Sequence, residues 1–250
     1  MSPRNISSLI AITIFFCLAL PYFTMPSFAQ TCPATDKTCL MSEITSLSAK
    51  IEKQSWRDKT LRELAKSYTH EGLENDAIKL ITKIKTPDTK ALTIRGIGFA
   101  AADNKWSDSA RYKTLFTNLT AEAQKIEHKP SYAIAYTYIA MAQAFAGDDE
   151  GAMATATSMT DQALRNKAFA ESAEIQAERG NSDAAHLSIS KIDSLSFRNK
   201  AYNIVANIFT KSGDLKNAYK AAHKIENAYT KSQALQKIVN FGNAEETIAK

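Results

Sequence analysis

With 250 residues, 44% of them hydrophobic and 23% charged, the chain has the composition of an ordinary soluble protein able to build a core. Its formal net charge of +5 is modest and spread along the sequence, which speaks against nucleic acid as a partner. The 6 prolines all lie at or before Pro130, and the remainder, rich in Ala, Lys, Glu and Gln, favours helix, so an all-α fold is expected.

Residues 1–29 read as a secretory signal. Arg4 precedes the apolar run Leu9 to Leu20, and Ser27-Phe28-Ala29 offers small residues at the positions a signal peptidase reads. The run is 12 residues long and stops at Pro21, whereas a membrane span needs roughly 20. Cleavage after Ala29 would leave no membrane span in the mature chain and place the protein in the periplasm, or otherwise outside the cell. It would also leave two cysteines, Cys32 and Cys39, with six residues between them. In an exported protein that spacing reads as a disulfide closing a small loop and protecting the first helix from fraying. No His or further Cys stands near enough in sequence to suggest a metal site.

Residues 30–54 form a leading segment in which Leu40, Ile44, Leu47 and Ile51 fall on one helical stripe. From residue 55 to 250 the chain repeats itself. Arg165-Asn166-Lys167-Ala168 returns as Arg198-Asn199-Lys200-Ala201, Gly180 returns as Gly213 and Ile192 as Ile225, each 33 residues on. Gly72, Gly147, Gly180 and Gly213 are followed five residues later by Ala77, Ala152, Ala185 and Ala218. They are preceded by seven residues by Ala65, Ala140, Ala173 and Ala206, and by eleven by Leu61, Tyr136, Phe169 and Tyr202. Small residues allow two helices to cross closely, large ones fill the wider gap, and glycine lets the chain leave a helix with positive φ.

This pattern resembles the tetratricopeptide repeat, over roughly Trp56 to Asn240, although the period is 33 rather than 34 and proline between units appears only near Pro87 and Pro130. The resemblance implies a right-handed α-solenoid of about five antiparallel helix hairpins, with a leading N-terminal helix and a C-terminal capping helix. Thr230 to Phe241 reopens a sixth unit, and Gln233, Gln236, Lys237 and Asn240 would make it a polar cap. The second unit, Pro87 to Lys129, is irregular. Aligning Ala91 with Ala135 gives a step of 44, an excess of 11, which predicts a lengthened second helix from about Ser107 to Glu127.

No catalytic motif is present: there is no Gly-x-Ser-x-Gly, His-Glu-x-x-His or phosphate loop. Gly96-Ile97-Gly98 has the look of a dinucleotide fingerprint but sits inside an expected helix, where Gly96 aligns with the small packing residues. None of His70, His128, His186 and His223 stands at ligand spacing from another His, Cys or acid. The expectation is therefore a protein that is not an enzyme and carries no cofactor or metal.

In the repeat family, ligand-reading residues lie ten, nine and six positions before the turn glycine, on a concave surface. Carried over, this implies Arg62, Glu63 and Lys66 in the first unit, Thr137, Tyr138 and Met141 in the third, Ala170, Glu171 and Glu174 in the fourth, and Asn203, Ile204 and Asn207 in the fifth. With Asp103 taken as the second turn, Thr93, Ile94 and Ile97 fall there, and Arg95 enters a column otherwise held by Leu64, Ile139, Ser172 and Val205. A cation in such a column must be paired or solvated, or must hold an anionic ligand. Lys200, Asn203 and Asn207 share a helical face that resembles the family's grip on a peptide carboxylate, and they equally fit a solvated face. The function expected is an interaction scaffold of the cell envelope that binds a protein or peptide. Self-assembly into a homo-oligomer and binding of a small anion through Arg95 are the alternatives.

Overall fold

The computed structural model describes residues 32–243 and is all-helical, with twelve helices and no strand among the described residues. The signal sequence read at residues 1–29 lies outside them. The helices are α1 (Lys37–Ser48), α2 (Gln54–His70), α3 (Glu74–Lys83), α4 (Pro87–Asp103), α5 (Ser109–Gln124), α6 (Lys129–Ala146), α7 (Asp149–Thr157), α8 (Gln162–Glu178), α9 (Ser182–Ser190), α10 (Leu195–Lys211), α11 (Leu215–His223) and α12 (Ala228–Val239). Eight begin on an Asp, Asn or Ser whose side chain accepts a hydrogen bond from the first turn, for example Asp148 from Gly151 and Asn227 from Thr230. Helices α4 and α6 instead carry Pro87 and Pro130 in the first turn, where the missing N–H is harmless.

Each long helix packs on the next one along the chain, α2 on α4, then α6, α8, α10 and α12, and each of the first five also packs on the shorter helix that follows it. The core runs along this row through Leu61, Ile94, Ile139, Phe169 and Phe209, with Ala65, Ala140, Ala173 and Ala206 where the helices approach. Gly72, Gly147, Gly180 and Gly213 have φ of +76°, +87°, +79° and +81°. After each, the next N–H bonds back five residues: Leu73 to Tyr68, Asp148 to Gln143, Asn181 to Gln176 and Asp214 to Phe209.

The second unit turns elsewhere than the sequence suggests. Its left-handed residue is Lys105, with φ +49°, not Asp103. Where the backbone bond from Trp106 to Ala101 is due, the Tyr112 hydroxyl inserts itself, accepting from Trp106 N–H at 3.0 Å and donating to the Ala101 carbonyl at 3.3 Å. From Gly72 to Lys105 the step is 33, so the first helix of this unit is regular after all, and from Lys105 to Gly147 it is 42. The excess of nine divides into two residues in the turn and seven in the helix, since α5 has 16 residues against 9 in α7. Seven residues are two helical turns, which keeps Tyr112, Phe116, Leu119 and Ala123 buried on one face. The lengthened helix is therefore present but spans Ser109–Gln124, shorter than expected.

Both ends differ from expectation too. Helix α1 stops at Ser48 and buries Met41 and Ser48, leaving Ile44 and Leu47 exposed. Its phase is one residue round from the predicted stripe because Met41, Thr45 and Ser48 face α2, where the Thr45 and Tyr68 hydroxyls lie 3.3 Å apart. The Sγ atoms of Cys32 and Cys39 are 2.03 Å apart, a disulfide pair that ties the entering chain to the first turn of α1. Helix α12 buries only Ala234, and Tyr229 and Val239 are 72% and 76% exposed, so this terminal helix is less polar outside than its glutamines suggest.

Candidate functional site

The repeated Arg-Asn pair, the strongest signal in the sequence, serves the scaffold. Arg165 Nη1 donates to the Met159 carbonyl at 3.1 Å, and Arg198 Nη1 donates to the Ile192 carbonyl at 2.8 Å, each reaching the loop behind its helix. Asn166 Oδ1 accepts from Asp193 N–H and Asn199 Oδ1 from Glu226 N–H, each reaching the loop ahead. Arg57 and Asp58 do the same in the first unit: Arg57 bonds the Ile51 and Glu52 carbonyls, and Asp58 accepts from Lys85 and Thr86 N–H. These positions are Lys90-Ala91 and Tyr132-Ala133 in the second and third units, where Ser131 donates to Asp88 instead.

Lys105 as the turn also relocates the ligand-reading positions. Ten, nine and six residues before it stand Arg95, Gly96 and Phe99. Thr93, Ile94 and Ile97, expected on the surface, are buried, and Ile97 fills the column assigned to Arg95. Arg95 is exposed. It lies in register with Arg62 and Asn203, on the face where the long helices leave side chains uncovered. The small packing residue is Gly98, not Gly96: a Cβ built on Gly98 would stand 2.7 Å from Ala142 Cβ, whereas one on Gly96 meets nothing nearer than Lys66 Cβ at 3.9 Å.

That face is continuous across neighbouring helices. The Arg95 guanidinium carbon lies 5.1 Å from the Phe99 ring centre and 5.2 Å from that of Tyr138 on α6. Phe99 meets Phe145, also on α6, with centroids 4.9 Å apart. Met141 is half-buried beside Ala144 and Ile175. Arg62 is occupied by Glu63 at 2.6 Å, while no carboxylate among the described residues is within ion-pair distance of Lys66 or Arg95.

On α8 the sign reverses. Burial, then the neighbouring Glu171 and Glu178 charges, push the Glu174 carboxyl up to about 7, and Lys200 on α10 only partly offsets them. Beyond it, Oδ1 of Asn203 and of Asn207 is buried without a hydrogen-bond partner among the described residues. The structure thus brings Arg62, Lys66, Arg95, Tyr138, Met141, Glu171, Glu174, Asn203 and Asn207 onto one face of the long-helix row. Phe99 and Phe145 belong with them and escaped the sequence reading, Phe99 because its turn carries no glycine.

A cleft of about 1120 Å³ opens on the other side, between α5 and α7, because α5 outruns its neighbour. Two of the three acids that line it, Asp148 and Asp149, are already engaged. Asp148 caps Gly151 and accepts from Gln143, and Asp149 is held by Arg179 and Asn181. No group of three or more His, Cys, Asp or Glu among the described residues could hold a metal, and no described helix is long and apolar enough to cross a membrane.

Of the histidines, His186 is the unusual one. Neither ring nitrogen has a hydrogen-bond partner among the described residues, and the ring leans on Tyr202 at 5.7 Å. Burial, followed by Lys220 on α11 and Lys224 just after it, lowers its pKa below the usual 6.5, against a smaller opposing effect of Asp183. A lowered folded pKa means that the unfolded chain binds the proton first, so stability is complete above about pH 6.5 and declines as pH falls through the folded value. His186→Met, the residue type at the matching position Met153, should flatten urea-midpoint stability between pH 7 and 5 relative to the parent; an unchanged slope would remove His186 from the account.

The chain matches no protein-family model, no curated protein and no solved structure.

Proposed function

We propose that the chain is a right-handed α-solenoid of five helix hairpins, similar to the tetratricopeptide repeat, closed by α1 and α12. It acts without catalysis as an exported scaffold, and a protein or peptide partner lies across the exposed face of its long helices. The observation that carries this reading is the uncovered row of Lys66, Arg95, Phe99, Tyr138 and Phe145. Two cations without counter-ions stand there against clustered aromatic rings, the kind of amphipathic, Arg- and Tyr-bearing surface that interfaces favour. The regular hydrogen bonds of Arg165, Asn166, Arg198 and Asn199 suit a rigid support for such a surface.

The test is site-specific photocrosslinking in intact cells. A crosslinker at Tyr138 should capture a discrete partner and one at Leu187, exposed on the short helix α9, should not. Lys66→Ala with Arg95→Ala should reduce the Tyr138 capture at least about tenfold while the helical circular dichroism is unchanged. Equal capture from both positions, or capture indifferent to the double substitution, would end the proposal.

A further inference from the structure

The long-helix face is charged in two separate blocks, and their order specifies what it can hold. Lys66 and Arg95 stand on α2 and α4 beside an Arg62 already neutralised by Glu63, the rings of Phe99, Tyr138 and Phe145 with Met141 on α4 and α6, and Glu171, Glu174 and Glu178 on α8. From this we infer that the occupant is an extended peptide segment with a carboxylate side chain near Arg95, an apolar side chain over the aromatic cluster, and a basic side chain near Glu174. The inference rests on the reading of this face as the partner surface.

The cationic end is suited to a carboxylate. Arg95 is flanked by two rings, which fixes its plane and leaves its N–H edges free to donate in pairs to a carboxylate. At the other end acceptors exceed donors. Burial and the charges of Glu171 and Glu178 hold the proton on Glu174 to about pH 7, and Lys200 on α10 only partly opposes them. A guanidinium or ammonium group supplies the counter-charge these glutamates lack, and would release the Glu174 proton on binding.

Spacing follows from helix packing. Adjacent helix axes are separated by about 8–10 Å, so two steps from α4 to α8 span roughly 16–20 Å. An extended chain covers about 3.3 Å per residue, which places the acidic and basic residues roughly five or six apart.

Labelled synthetic peptides test this by fluorescence anisotropy on the purified protein at low salt. Each carries one Glu and one Arg separated by about five residues with Leu between them, in both chain orders; a third has the same composition with Glu and Arg adjacent. One order should bind at least about tenfold tighter than the adjacent-charge peptide, and more weakly at pH 5.5 than at pH 8. Arg95→Glu should lose that advantage and regain it when the peptide Glu is replaced by Lys, a rescue that a misfolded variant could not show. Failure of both orders to exceed the adjacent-charge peptide, or absence of rescue, overturns the inference. If Tyr138 still crosslinks a partner in that event, the scaffold reading survives and only the charge-ordered occupant falls.

Discussion

Asp58→Ala is expected to destabilise the chain by about 3 kcal/mol, because it removes a buried charged acceptor that serves two backbone N–H groups of the loop ahead of α4 and the Gln54 amide. Asp58 is 1% exposed. Its carboxylate accepts from Thr86 N–H at 2.9 Å, from Lys85 N–H at 3.3 Å and from Gln54 Nε2 at 2.6 Å. Burial acts to raise its pKa, but the Thr86, Lys85 and Gln54 hydrogen bonds outweigh it and hold the carboxyl below its usual value. A depressed folded pKa contributes stability above the unfolded carboxylate range and loses it as pH falls through the folded value, so part of the acid lability of the N-terminal units traces to this one group.

The control is supplied by the protein itself. The fourth and fifth units use Asn166 and Asn199 at this place, so Asp58→Asn should cost only about 1 kcal/mol and flatten the acid limb. Urea unfolding of the three proteins at pH 7 and pH 3.5 would show it. Equal midpoints for the parent and Asp58→Ala at pH 7 would mean that the loop ahead of α4 is not held by this carboxylate.

The same pair of residues shows what could be read from the chain and what could not. The 33-residue return of Arg-Asn-Lys-Ala announced a regular helical build, and the turn glycines, the small crossing residues and the lengthened second helix follow from spacing alone. What the pair does was not legible, because its partners are backbone groups of loops about 27 residues ahead and 6 behind, and backbone groups leave no trace in sequence. The aspartate at position 58 hid the first member of the series by changing the letter while keeping the acceptor.

On the long helices, the residues counted back from a glycine, Arg62, Glu63, Lys66, Tyr138, Met141, Ala170, Glu171, Glu174, Asn203, Ile204 and Asn207, are at least partly exposed, whereas Thr137, reached by the same count, is buried. The second unit failed because a lysine took the left-handed position and a tyrosine hydroxyl replaced a backbone bond, moving the origin of the count by two residues. That shift buried Arg95 on paper and hid Phe99. The phase of α1 was missed for a related reason, since Thr45 meets the Tyr68 hydroxyl of α2, a polar contact that an apolar stripe does not register.

The two-residue shift has its own decisive experiment in the two glycines of α4. Gly98→Leu is expected to destabilise by about 3 kcal/mol, since α4 and α6 form the most extensive helix contact and overpacking such a seam forces the helices apart. Even the methyl of Gly98→Ala would stand 2.7 Å from Ala142 Cβ, with Phe116 and Leu119 side chains at 3.7 and 3.9 Å behind it. The nearest of these, the Ala142 methyl, is short and helix-borne, so relief requires backbone movement rather than a rotamer change. The gain of about 1 kcal/mol in helix propensity from Gly to Ala is consumed by that strain, leaving Gly98→Ala neutral to destabilising. Gly96→Ala meets only Lys66 Cβ at 3.9 Å, an ordinary contact, and should keep the propensity gain as about 0.5–1 kcal/mol of added stability. Counting from Asp103 demands the reverse order, with Gly96 as the packing glycine and Gly98 indifferent. Urea midpoints of the two alanine variants therefore decide between the two registers, and with them whether Arg95 stands on the exposed face of the long helices or inside the core.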